Sequence, residues 1–295
     1  MQLLDGSLKA KDWFGQIQPN LIRKGLGILI VGDDPASHIY VKLKIKKAQS
    51  LGVVTNTQLL PHTASMNEVI TAIQLLNNHP AISGVLVQLP LPEHLKPYTR
   101  AILDSISFAK DVDVLSSQRL SKILTDRDAI LPATPTGILR LLTDYNIPVR
   151  SAHIALVGTS LLVGTPLAIR LEQLGATVIL CNKYTRELQA LTNQADILIS
   201  AAGKPGLITK HHVKRGAVVV DVGTTKVGNA IMGDIDFAAV SPLASYITPN
   251  PGGVGPMTIA ALFKNLSMVD SVGFEPTTSG LKGHCSTPEL QVQQT

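Results

Sequence analysis

The sequence predicts a two-lobed α/β protein, and three observations carry that expectation. Short apolar runs alternate with helix-length amphipathic stretches in two separate series, a proline-rich crossing divides the series, and the chain has 295 residues. A chain of that length exceeds the usual single-domain size of about 100–200 residues, so two cores are expected.

The first series starts near Gly25. An apolar run, Ile28–Val31, precedes an amphipathic stretch, Ser37–Leu51; a β-rich run, Val53–Leu60, precedes a helical stretch, Asn67–Asn78; and Val85–Leu89 closes the series. This order is β-α-β-α-β. The second series begins at His153, with strand Ile154–Val157, helix Pro166–Leu174, strand Thr177–Cys181, helix Thr185–Thr192, and strands Ile197–Ser200 and Ala217–Val222. Strands separated by helical crossovers form a parallel sheet.

Between the series, Pro132-Ala-Thr-Pro135-Thr-Gly137 reads as a stiff crossing that leads into an apolar helix, Ile138–Tyr145. The expected first domain is therefore 1–136 and the second 137–256. A helix over 257–270, centred on Thr258–Val269, is expected to pack back on the first domain and close a cleft between the lobes. Residues 271–295 turn to Gly, Pro, Ser, Thr and Gln without periodicity and are expected to form a disordered tail.

Composition narrows the function classes. The chain carries a net charge of +5 with only 4% aromatic residues, its lysines are dispersed apart from one helix, and no recognition motif accompanies the charge. That favours anionic metabolites over nucleic acid as partners. Two cysteines, Cys181 and Cys285, give neither metal-ligand spacing nor a disulfide framework, and none of the eight histidines stands in a metal-binding pattern, so no metal is assigned. The N-terminus lacks a secretory signal, and runs such as Ile28–Val31 fall far short of the roughly 20 residues that span a bilayer. A cytoplasmic protein without a membrane partner is the expectation.

Several motifs carry chemistry. Gly158-Thr-Ser-Leu-Leu-Val-Gly164 lies between a predicted strand and a predicted helix, where glycines let a backbone approach a pyrophosphate at the helix N-terminus. It is not G-x-G-x-x-G, and a tight strand-to-helix turn with no ligand fits the same spacing. The next strand ends in Cys181-Asn182-Lys183-Tyr184-Thr185-Arg186, where an acid would hold the ribose hydroxyls of NAD; cations stand there instead, which suits a 2′-phosphate or simply a solvated loop.

On the first predicted helix Tyr40 and Lys44 stand four apart and share a face, while Lys46 and Lys47 read as its solvated side. Gln88 ends an otherwise apolar strand before Pro90, either facing a ligand or satisfying local backbone. Asp111 and Asp113 are two apart, so in an extended segment only one can face a given cleft. Thr248-Pro-Asn-Pro-Gly-Gly-Val-Gly-Pro256 is a rigid loop whose exposed amides can bind a polar ring or a carboxylate.

Taken together, Val31–Lys44, Gly84–Pro92, Lys110–Asp113, Gly158–Pro166, Asp221–Gly223 and Ile247–Thr258 closely resemble the bifunctional methylenetetrahydrofolate dehydrogenase/methenyltetrahydrofolate cyclohydrolase family, in order along residues 1 to about 270. The resemblance implies an α/β homodimer with an N-terminal folate-binding domain and a Rossmann-like domain for NADP, NAD being the alternative cofactor. It implies oxidation of 5,10-methylenetetrahydrofolate and hydrolysis of the methenyl product to 10-formyltetrahydrofolate.

Carried over by position, Lys44 resembles the catalytic lysine, Gln88 its partner, Tyr40 the tyrosine lying against the folate rings and Asp113 the pterin-binding aspartate. Val87, Leu89, Pro251, Gly252, Gly253 and Thr258 complete the implied folate site. Gly158, Thr159, Ser160, Val163, Gly164, Asn182, Lys183, Thr185, Gly223 and Thr224 form the implied nucleotide site. The chain departs from the family pattern at Thr159, where arginine is common, at Asn182-Lys183 in place of histidine-serine, at Thr224-Thr225 in place of isoleucine-asparagine, and at Val114, where glycine usually follows the aspartate. A catalytically silent folate- or nucleotide-binding scaffold, or a dehydrogenase of amino or hydroxy acids, would share the lobed fold.

Overall fold

Asp5 starts the first helix by accepting the amide of Leu8 at 2.9 Å, so a two-residue strand β1 (Gln2–Leu3) passes directly into α1 (Gly6–Ile17). The structure is a computed structural model that describes residues 1–228 and 230–269; the tail expected over 271–295 lies outside them. After α1 come β2 (Gly25–Val31), α2 (Pro35–Ser50), β3 (Val54–Leu60), α3 (Met66–Asn78) and β4 (Gly84–Val87). These strands form a parallel three-stranded sheet in the order β3-β2-β4, with Gly25 opposite Val54 and Leu26 opposite Gly84.

All of β2 is buried, and the period of two divides it between two cores. Leu26, Ile28 and Ile30 join the core that runs between the lobes, whereas Leu29 and Val31 face α3 with Val85 and Val87. Helix α3 presents Val69, Ala72, Ile73 and Leu76 to that outer core and is started by a Ser65–Glu68 capping box.

The connection between lobes carries α4 (Thr99–Asp104), α5 (Ser117–Thr125) and α6 (Ala133–Asp144). Here the expected stiff crossing is corrected: Pro132 is the N-cap of α6 and Pro135 lies in its first turn, where a missing amide donor costs nothing. The boundary drawn between residues 136 and 137 thus falls within a helix.

The second series follows as β5 (His153–Val157), α7 (Gly164–Gln173), β6 (Thr177–Cys181), α8 (Leu188–Thr192), β7 (Ile197–Ser200) and β8 (Val218–Asp221). Then come a hairpin of β9 (Thr225–Val227) and β10 (Ala230–Met232), α9 (Phe237–Val240), β11 (Tyr246–Ile247) and α10 (Val254–Met268). The helix expected from Thr185 begins only at Leu188, because the Thr185 hydroxyl accepts the amide of Asn182 in the preceding loop at 2.8 Å.

The large sheet is parallel, in the order β1-β11-β8-β7-β5-β6. Its edge is β1, so residues 2–3 belong to the second sheet although they were expected within the first domain.

Helix α10 begins three residues earlier than the expected 257–270 segment. It packs on α1 and α6. A Cβ on Gly137 would come within 2.9–3.1 Å of the Met257 and Thr258 backbone, so only glycine lets α6 and α10 approach this closely. Fully buried Phe263 meets the Phe14 ring edge-on at 6.2 Å, and buried Asn265 donates to Val112 O and Leu131 O at 3.0 Å each. No helix among the described residues is long and apolar enough to cross a membrane.

Candidate active site

Helix α2 is aimed by its own first turn: Asp34 accepts the Ser37 amide at 2.7 Å and Pro35 occupies the first helical position. Tyr40 and Lys44 follow one turn apart, both half-buried. Lys44 Nζ donates to Gln88 Oε1 at 2.9 Å. Gln88 in turn donates its Nε2 to Leu89 O at 2.7 Å, which turns its oxygen toward the lysine. Gln88 and Leu89 lie just past the end of β4, where the strand was expected to continue, although the Gln88 amide still pairs with Leu29 O at 2.9 Å.

The two aspartates separate. Asp111 is buried and accepts the amides of Val114, Leu115 and Ser116 at 2.8–3.3 Å, holding a tight turn. Asp113 faces the cleft with Lys44. Burial pushes the Lys44 ammonium below the usual lysine range, while the Asp113 carboxylate holds it up. The Asp113 carboxyl is pushed above the usual range by burial, with Lys44 pulling it down and Asp111 adding to the rise. Both groups are therefore biased toward their neutral forms.

Val114, at the position where the resemblance gives glycine, has φ +58° and is fully buried against Ile123 and Leu131. A β-branched residue in this region is strained by about 1–3 kcal/mol, and the Asp111 clamp on its amide keeps it there.

A cavity of about 190 Å³ joins these groups. Lys44 lines it from α2, Val87 from β4, Gln88, Leu89 and Asp113 from the loops that follow, Thr258 from α10, and Leu162 from the loop between β5 and α7. Tyr40 lies one turn back from this lining, and Pro251, Gly252 and Gly253 are likewise outside it. Gly252 O accepts the Ser7 amide at 3.0 Å, and Gly253 is the N-cap of α10. Thr258 Oγ1 lies 3.2 Å from Thr134 Oγ1 and 3.1 Å from Val254 O.

The predicted nucleotide residues gather at the C-terminal end of the large sheet. Gly158 takes φ +118°, and a Cβ there would lie 2.4 Å from Ala201 O. Ser160 Oγ accepts the Val163 amide at 3.2 Å, and α7 begins at Gly164 with no side chain capping its first turn. Thr159, Ser160, Asn182, Lys183 and Thr224 are exposed, whereas Gly223 is buried with its amide on Asp221 Oδ1 at 3.0 Å. The Thr165 amide already pairs with Ser160 O at 3.0 Å and Pro166 has none, so the glycine turn, the exposed hydroxyls and the cation at the end of β6 are what suit a phosphorylated dinucleotide.

Sequence reasoning missed Leu162, Thr134 and Leu115 in the cavity lining. Leu162 sits inside a motif already singled out, but nothing local shows that it reaches across to Lys44.

Comparison with known proteins gives the same picture. Residues 4–113 match the tetrahydrofolate dehydrogenase/cyclohydrolase catalytic domain, and residues 132–272 match the tetrahydrofolate dehydrogenase/cyclohydrolase NAD(P)-binding domain. The bifunctional protein FolD of Nitratiruptor sp. is 44% identical over 273 residues, covering 90% of this chain and 96% of that protein.

Among solved structures, the bifunctional enzyme FolD, a methylenetetrahydrofolate dehydrogenase/cyclohydrolase from Campylobacter jejuni, superposes with a TM-score of 0.87 at 38% identity, over 90% of this chain and 97% of that one. The Trypanosoma brucei N5,N10-methylenetetrahydrofolate dehydrogenase-cyclohydrolase, complexed with NADP cofactor and inhibitor, gives 0.85 at 30% identity over 89% and 94%. On sequence, domain content and fold alike, the chain belongs to the tetrahydrofolate dehydrogenase/cyclohydrolase family.

Proposed function

We propose that this chain oxidises 5,10-methylenetetrahydrofolate to 5,10-methenyltetrahydrofolate with NADP and hydrolyses that product to 10-formyltetrahydrofolate. The observation that carries the reading is the single cavity in which Lys44, Gln88 and Asp113 from one lobe meet Leu162 from the nucleotide turn of the other. A site that must hold a folate and a nicotinamide in contact needs walls from both lobes.

The nucleotide, when bound, supplies the hydride acceptor. The 158–164 turn, Asn182, Lys183, Thr185, Gly223 and Thr224 would hold it, with Lys183 and Arg186 exposed where a 2′-phosphate needs cations. Asp113 and the Pro251–Gly253 loop would bind the pterin, with Tyr40 against its rings. Lys44, oriented by Gln88, takes a proton from the attacking water when its amine is neutral and returns protons during ring opening. In this reading 1–136 with the C-terminal helix is the folate domain and 137–256 the nucleotide domain. The family resemblance supports a homodimer, and the sparse thiols support the cytoplasm.

Incubating the protein with methylenetetrahydrofolate and either nicotinamide cofactor, and following both steps by absorbance, tests the reading. Cofactor reduction followed by loss of the methenyl absorbance is expected. A silent scaffold would show neither, and a dehydrogenase of amino or hydroxy acids would leave the folate untouched.

A further inference from the structure

We propose that Asp234 is a positioning residue for the nucleotide, acting through the loop that leaves β7 at residues 200–204. The inference rests on the reading of the 158–164 turn as the nucleotide site. Asp234 is completely buried, yet its carboxylate collects four donors from one loop: Oδ2 accepts Ser200 Oγ at 2.9 Å, Ala202 N at 2.7 Å and Gly203 N at 3.2 Å, while Oδ1 accepts Lys204 N at 2.8 Å.

An anion that draws successive amides inward leaves the loop little freedom in where its carbonyls point. One of those carbonyls defines the nucleotide turn. Ala201 N donates to Val157 O at 2.7 Å, and Ala201 O lies so close to Gly158 that a Cβ there would approach it to 2.4 Å. The wall against which the glycine turn folds is thus held from behind by Asp234.

A second carboxylate places the first. Asp221 Oδ1 accepts Asp234 N at 2.9 Å and Gly223 N at 3.0 Å, and a Cβ on Gly233 would fall 1.8 Å from Asp221 Oδ2. Asn250 then donates to Gly223 O at 2.7 Å, which ties this cluster to the loop preceding α10. Two buried carboxylates side by side are costly, and burial with the neighbouring Asp234 pushes the Asp221 carboxyl upward. An apolar cluster could fill the space, but it would leave the loop amides unpaired.

The test is Asp234→Asn in the full chain, since an amide keeps the shape while replacing one acceptor oxygen with a donor that opposes the loop amides. The KM for NADP should rise about tenfold or more, as expected for weakened hydrogen bonds to a charged group. Hydrolysis of methenyltetrahydrofolate, assayed without nucleotide, should keep its kcat and KM within about twofold.

Parallel loss of both activities would reduce Asp234 to a structural residue, and an unchanged NADP KM would remove its role; either overturns the proposal. Ser200→Ala, which deletes one of the four bonds, should give a smaller rise and decides the matter if Asp234→Asn does not fold, an unchanged NADP KM again counting against it. Calorimetric titration of parent and variant with NADP separates this inference from the assigned reaction. A parent that binds NADP without oxidising the folate fails the reaction alone, whereas equal affinity of parent and Asp234→Asn fails the positioning role.

Discussion

Lys44 concentrates the chemistry at the residue scale, because hydride transfer needs alignment but no obligatory proton movement, whereas hydrolysis must deprotonate water. Lys44→Met should therefore cut the cyclohydrolase step by about a hundred- to ten-thousand-fold while leaving measurable dehydrogenase activity. Both steps are followed on the purified variant; equal loss would recast Lys44 as a group that positions folate.

The pH dependence follows from the same pair. Burial lowers the Lys44 pKa and Asp113 partly restores it, so hydrolysis should rise with pH through a midpoint below the ordinary lysine value. Asp113→Asn removes the charge that favours the ammonium, and the midpoint should move to lower pH. A shift to higher pH in the rate profile would contradict the pairing.

At the end of β6, Lys183→Asp should weaken NADP much more than NAD, because the new carboxylate repels a 2′-phosphate and suits free ribose hydroxyls. Equal weakening of both in binding titrations would show that Lys183 does not read the phosphate.

Among the elements, α10 carries the most inter-lobe structure, and Asn265 shows how. Its amide satisfies Val112 O, one residue before Asp113, and Leu131 O, just before α6, so one side chain on α10 fixes two approaches to the cleft. Asn265→Ala removes the amide donor from Val112 O, while Leu131 O keeps the Thr136 hydroxyl at 3.1 Å, and should cost about 1–3 kcal/mol. Such a loss lowers the melting temperature of a protein of this size by roughly 2–4 °C per kcal/mol. An unchanged melting temperature would mean that water replaces the amide.

Helix periodicity made α10 legible beforehand, and the apolar alternation made β2, β3 and α3 legible. Both are local properties of the chain. The start of α6 was not, because Pro132 and Pro135 signal a break wherever they stand and only the helix that follows shows them to be its cap and first turn.

For the whole molecule, the decisive feature is that one core serves both sheets. Ile28 and Leu86 from the small sheet, Ile154 and Ile199 from the large one, and Phe263 between them belong to one buried cluster. Separate lobes with separate cores would unfold in steps, but this arrangement should unfold in a single calorimetric transition, and NADP should raise its temperature as a whole. Two resolved transitions, with only one responding to NADP, would show that the lobes are energetically independent.

The sequence alone marked the strands and helices of the two alternating series, though not α1, α4 or α5, and residue types and short spacings brought forward Lys44, Gln88 and the glycine turn, whereas Asp113 was singled out from Asp111 only by the family resemblance. Tertiary structure alone decided that Gln2 and Leu3 extend the second sheet by pairing with Tyr246 and Ile247, since two-residue strands have no period to read. It also decided that Leu162 shares a cavity with Lys44 and that Asp234 holds the 200–204 loop. These contacts join residues far apart in the chain, and their partners are chosen by packing and by the need to pair buried polar groups, which no local pattern encodes.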